Sequence, residues 1–208
     1  PEKLCRHWHE AGVREKTARY AVLAGERAMD ALAFDHACEF FHMAIGLGSV
    51  EGLNLQAVLI QLGDALANSG KGAEAASIYH FAAERSELAQ ALELKRRAAE
   101  QLLVCGHYDK GLAAFREVFQ ELGMKFPATH FRAFGSLVAL RIWMRIRGFG
   151  FKRRNAIEIT DLERTRIDAC WAATKGLGGC DVIRGQLLQT RGLLLALRAG
   201  DGYRIARA

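Results

Sequence analysis

The chain has 208 residues, half of them apolar, with 29 basic against 23 acidic side chains and a net charge of +6. That length allows one or two compact domains or one short solenoid, and the apolar content is ample for a core. No secretory leader is visible and no apolar run approaches the ~18 residues of a membrane-spanning helix, so a cytoplasmic location is expected.

Ala and Leu are abundant, Val, Thr and Tyr are sparse, and only two prolines interrupt the chain. Helix propensity is therefore high throughout and an all-α fold is expected. The opening "LCRHWHEAG" reads as the tail of a helical repeat whose partner helix is missing. Its His7 and His9 lie two apart, so on a helix they face different directions and do not form a metal pair. Five widely spaced cysteines make no C-x-x-C motif, which argues against a disulfide framework and a zinc site. Cys5, Cys38 and Cys105 fall among helical apolar residues and are expected to be small buried hydrophobes.

A repeat then organises the first 126 residues. Gly25 is followed by Ala37, Phe41 and Ala44, and Gly63 by Ala75, Tyr79 and Ala82, with the same offsets. A degenerate third copy runs Ala99, Gly111, Phe115 and Val118. The aromatic residues recur at 38 and 36 residues, slightly above the ~34 of a tetratricopeptide repeat with its L-G-x₂-Y…A-x₃-F pattern. Small residues let the two helices of a hairpin approach, and the aromatic fills the space towards the next hairpin. The expected segments are about 14–48, 53–86 and 89–126, within a solenoid of about four hairpins.

The stretch "LANSGKGAEAA" at 66–76 invites comparison with a phosphate loop. A P-loop needs G-x-x-x-x-G-K-[ST] between a buried strand and a helix. Here Ala65 stands at the first glycine, Gly72 replaces the hydroxyl, and the preceding residues have helical periodicity. The stretch is expected to be a turn, with Asn68 and Gly70 ending one helix and Glu74 in the first turn of the next. "CGHYDKG" at 105–111 is expected to be the same turn one repeat later.

Residues 127–157 read as a basic helix ending near Arg147 with a glycine-rich exit, and residues 158–208 as a further hairpin, cut short at its C-terminus. Thr160 with Glu163 forms a capping box, Asp181 is an N-cap, and Gly200 is a C-terminal stop. A helix running out in "LLLALRAGDGYRIARA" is expected to leave Leu193, Leu194 and Leu197 partly uncovered.

"LGDALANSGKGAEAASIYHFAA", "KRRAAEQLLVCGHYDKGL" and "DVIRGQLLQTRGLLLALRAGDGYRIARA" resemble the C-terminal tetratricopeptide region of large bacterial serine/threonine protein kinases. That family also carries an AAA-type ATPase module. The resemblance covers nearly the whole chain, including "LRIWMRIRGFGF", but it lies in scaffold residues. It implies a signalling context, with kinase and ATP-binding chemistry elsewhere in a larger protein. The chain has no H-R-D loop, D-F-G or V-A-I-K lysine. A regulatory or sensor repeat of a STAND-type ATPase or transcription regulator is the alternative parent.

Two classes of function follow. As an interaction module, the first helix of each repeat would line a groove for protein or for neighbouring domains. The repeat register places Arg19, Glu26, Gln61, Asp64, Asn68, Arg96, Arg97 and Glu100 there, with Val22, Leu23, Ile60 and Leu103 between them. Asp64 and Glu100 stand where a carboxylate clamp would want Asn. As an enzyme, the chain offers Asp168 with Cys170, and Cys180 with Asp181, both without a nearby histidine. Catalytic, cofactor and metal residues are accordingly expected to be none. Residues 122–157 carry eight basic residues and no acid, more positive charge than the whole chain's net. Arg141, Arg145, Arg147, Lys152, Arg153 and Arg154 form a candidate basic docking patch for an acidic protein surface. Membrane and nucleic acid could meet such a stripe, but nothing else in the chain points to either.

Overall fold

The computed structural model describes residues 1–208, apart from the side chain of residue 156. It is all-α: eleven helices and one short 3₁₀ turn, with no strand among the described residues. The chain divides into two compact units, residues 1–105 and 106–208. The division falls inside the segment 89–126.

The first unit contains α1 (Glu2–Glu10), α2 (Arg14–Asp30), α3 (Phe34–Gly46), α4 (Leu55–Asn68), α5 (Gly72–Ala83) and α6 (Leu88–Val104). Each helix packs on the next in chain order. The core is built from small residues and a few large ones, among them Ala21, Ala37, Phe41, Leu62, Ala75, Tyr79 and Ala98. A Cβ built on Gly25 would lie 2.5 Å from the Phe41 ring, and one on Gly63 would lie 2.5 Å from the Tyr79 ring. Glycine is what allows each aromatic ring to lie directly on the backbone of the neighbouring helix.

The two turns are also alike. Between α4 and α5, Gly70 is left-handed (φ 81°) and the Lys71 N–H donates to the Leu66 carbonyl at 2.9 Å. Between α2 and α3 the same place is held by Leu32 at φ 57°, and the Ala33 N–H donates to the Ala28 carbonyl at 2.8 Å. Glu74 lies in the first turn of α5. The Lys71 ammonium pairs with Asp35 at 2.8 Å, so this lysine links two hairpins.

The second unit contains α7 (Tyr108–Glu121), α8 (His130–Arg147), α9 (Asp161–Leu177), α10 (Val182–Ala199) and α11 (Gly202–Arg207). Helix α10 is packed by α8, α9 and α11. The caps follow the sequence. Thr160 and Glu163 form a reciprocal capping box, Asp181 accepts from the Arg184 N–H, and Gly200 closes α10 in the left-handed region.

Two expectations need correction. Leu194 and Leu197 are buried and Leu193 is half-buried, because α10 has neighbours on several sides. The uncovered apolar surface belongs instead to α8, where Phe131, Phe134, Val138, Ile142, Trp143 and Ile146 are exposed and only Ala133 is fully buried. Cys5 and Cys38 are buried, but Cys105 is exposed, since it caps the end of α6.

Candidate functional site

On the first unit, polar side chains of α2, α4 and α6 meet in a ladder. The Gln61 amide donates to Glu26 at 3.0 Å, joining α2 to α4. Asp64 accepts from the Tyr79 hydroxyl at 2.5 Å and from the Arg97 guanidinium at 3.0 Å, joining α4 to α5 and α6. On α6, Arg96 holds Glu93 at 2.6 Å and Glu100 at 2.9 Å, while Arg97 holds Glu93 at 3.1 Å. The helical spacing of three and four residues puts Glu93 beside both arginines.

These contacts set the charge states. Burial opposes ionisation of Glu93, but hydrogen bonds from Arg96 and Arg97 outweigh it and hold the carboxyl below its usual range. Burial, and then the bond to Asp64, push the Tyr79 phenol well above its ordinary value. Glu93 is therefore a fixed negative charge and Tyr79 a neutral donor, neither poised for proton transfer near neutrality.

An open cleft of about 420 Å³ lies over this ladder. Asp64, Asn68, Arg96, Arg97 and Glu100 line it, five of the eight groove residues expected from the repeat register. Glu26 and Gln61 bond each other beside it, and Arg19 is exposed on α2 outside its lining. Leu103, expected between the groove residues, is buried, because it falls on the inward face of α6. Met29, Tyr79 and Gln101 also line the cleft. Glu93 could have been found from its spacing to Arg96 and Arg97; Met29 and Tyr79 come from other helices and carry no local signal.

Both pairs considered for catalysis are committed elsewhere. Asp168 accepts a two-pronged bond from Arg204, at 3.0 and 2.6 Å, and a further one from Arg207. Burial raises its pKa, yet these bonds bring it below the usual range. Cys170 is buried and its thiol is pushed up to about 12 by desolvation, so it carries essentially no thiolate near neutrality. Asp181 caps α10 and pairs with Arg184 at 2.8 Å, while burial and Asp181 raise the pKa of Cys180.

The six basic patch residues have different surroundings. Arg141 donates to Gln186 at 2.7 Å, Arg147 donates to the Gly148 carbonyl at 3.1 Å, and Arg154 pairs with Glu163 at 3.4 Å. Arg141 and Arg145 line one shallow depression with Met144 and Phe149. Arg145, Lys152 and Arg153 are exposed. Arg154 is drawn away by an acid 9 residues later in the chain, which a reading of the acid-free segment alone could not anticipate.

Comparison with family models, curated proteins and solved structures finds no match for this chain.

Proposed function

We propose that this chain is a non-catalytic, cofactor-free repeat segment of tetratricopeptide type that binds polypeptide across α2, α4 and α6. The supporting observation is a three-part arrangement occurring twice at the same spacing. Leu32 and Gly70 hold equivalent turns, while Gly25 with Phe41 and Gly63 with Tyr79 make equivalent close approaches. Stacked copies of one hairpin align their first helices into a continuous surface. Around the cleft, three carboxylates (Asp64, Glu93, Glu100) are set against two guanidiniums. A partner segment offering hydrogen-bond donors fits this surface better than an acidic one.

Selection of peptides from a displayed library on the purified chain tests this reading. Peptides that bind the chain should lose binding to Asn68→Arg and Gln101→Arg, which fill the cleft, and keep binding to Arg141→Gln. Equal binding to the cleft variants would overturn it. For the parent protein, a serine/threonine kinase with an ATPase module is our reading, and a STAND-type ATPase or transcription regulator the alternative. Kinase motifs in the coding sequence upstream of Pro1 would distinguish them.

A second surface is favoured by the apolar side chains exposed on α8 beside Arg141 and Arg145. We propose that it docks on an acidic face of a neighbouring domain of the same polypeptide, by charge complementarity. Binding of that domain should fall in Arg145→Gln/Lys152→Gln/Arg153→Gln and weaken with added salt. Indifference to both overturns it.

A further inference from the structure

The second unit contains a cleft of about 520 Å³ between α8, α10 and the residues that follow α7, a size suited to a small organic ligand. Its apolar floor includes Leu140, Leu194 and Leu195, and four cations line it: Lys125, Arg166, Arg191 and Arg198. No acidic residue is among its lining residues.

Several arginines withdrawn from solvent in this chain are paired with carboxylates, although half-buried Arg147 donates only to the Gly148 carbonyl. Arg96 has Glu93 and Glu100, Arg184 has Asp181, and Arg204 has Asp168 and Asp201. Arg166 and Arg191 are half-buried too, but among the described residues they bond only backbone carbonyls. Arg166 Nε donates to Leu122 at 2.9 Å, and Arg191 Nη1 donates to Lys125. Those bonds orient the two guanidiniums and use one of the several N–H donors on each. Withdrawing cations from water without a counter-charge is costly, and a bound anion would remove that cost.

We propose that this cleft binds a small amphipathic anion: a phosphate monoester head held by Arg166, Arg191, Arg198 and Lys125, with an apolar body on Leu140, Leu194 and Leu195. Phosphate is favoured over carboxylate because its second negative charge and third oxygen suit several guanidiniums at once. This site is independent of the polypeptide surface on the first unit.

Calorimetric titration of the 208-residue chain with octyl phosphate, inorganic phosphate and octyl glucoside tests both halves of the site. Octyl phosphate should bind at one site, about tenfold or more tighter than either inorganic phosphate or the uncharged glucoside. Lys125→Gln/Arg198→Gln removes two side chains that hold no other group among the described residues, so the fold should be kept. It should weaken octyl phosphate by about tenfold or more, while Arg145→Gln leaves it unchanged. Three results would each overturn the proposal: octyl phosphate binding no tighter than octyl glucoside, inorganic phosphate binding as tightly as octyl phosphate, or unaltered affinity in a folded Lys125→Gln/Arg198→Gln variant.

Discussion

The ring of Tyr79 occupies the space that a Cβ on Gly63 would need, its Cε1 atom 2.5 Å from that position. Phe41 stands in the same relation to Gly25. Gly63→Ala and Gly25→Ala should each force the ring and its helix to shift, costing about 1–3 kcal/mol. Gly135 in α8 has no atom within 4 Å of the corresponding position. Gly135→Ala should instead gain about 0.5–1 kcal/mol from helix propensity. Urea unfolding of the three variants checks both signs, and a neutral Gly63→Ala would contradict the packing argument.

Leu32 sits at φ 57° and is largely exposed, in the place that Gly70 fills in the next turn. A branched side chain in this region is strained by about 1–2 kcal/mol, and little burial is lost on removing it. Leu32→Gly should therefore stabilise the chain, by about 0.5–1 kcal/mol once the entropy of glycine is counted. A lower denaturation midpoint would show that the strain is absent.

Tyr79 has a raised phenol pKa in the folded chain. The neutral phenol is the form that the fold favours. The stability it contributes is therefore present below the ordinary tyrosine value of about 10 and is lost as pH rises beyond it. Absorbance titration should show about one phenolate fewer in the folded chain above about pH 11, where the unfolded tyrosine is ionised, and Tyr79→Phe should narrow the difference between folded and unfolded chains. Tyr79→Phe should also cost about 1 kcal/mol at neutral pH.

Asp168 ties α11 to α9 through Arg204 and Arg207. Its pKa and that of Asp201 are lowered in the fold. The stabilisation is therefore complete above the ordinary carboxylate value of about 4 and is lost as pH falls below it. Asp168→Asn should weaken this attachment by about 1–3 kcal/mol and flatten the acid dependence. Limited proteolysis should then cut near residue 201 sooner, and an unchanged cleavage rate would show that the ion pairs do not hold α11.

Cys105 and Cys180 are exposed, whereas Cys5, Cys38 and Cys170 are buried. A thiol reagent at neutral pH should label the first two ahead of the other three, with Cys170 among the slow ones because desolvation keeps it protonated. Mass spectrometry of briefly labelled protein identifies the sites. Early labelling of Cys170 would mean that the α9–α10 packing opens readily.

Much of the fold is local chemistry and was legible in the residues alone. Alanine and leucine content, the Thr160–Glu163 box, the Asp181 cap and the Gly70 and Gly200 stops act within a few residues. They determine where helices begin and end whatever the tertiary context. The 38-residue recurrence of Gly25 and Gly63 with their aromatics likewise marked equivalent approaches, because a helix pressed against a ring needs a residue without a side chain. Which faces would be covered was decided only by the tertiary arrangement. Leu194 and Leu197 look no more buriable in sequence than Phe131 or Ile146, yet α10 is surrounded and α8 is packed on one side. Partner choice among charges was equally non-local: Asp64 meets Arg97 across 33 positions and Asp168 meets Arg204 across 36. The cationic cleft draws Lys125, Arg166, Arg191 and Arg198 from three separate stretches. Helical spacing connects Arg191 with Arg198 on α10, and no spacing rule connects that pair to Lys125 or Arg166. Such pairings depend on which helices pack together, and a charge gives no sequence-level sign of the partner that packing will bring to it.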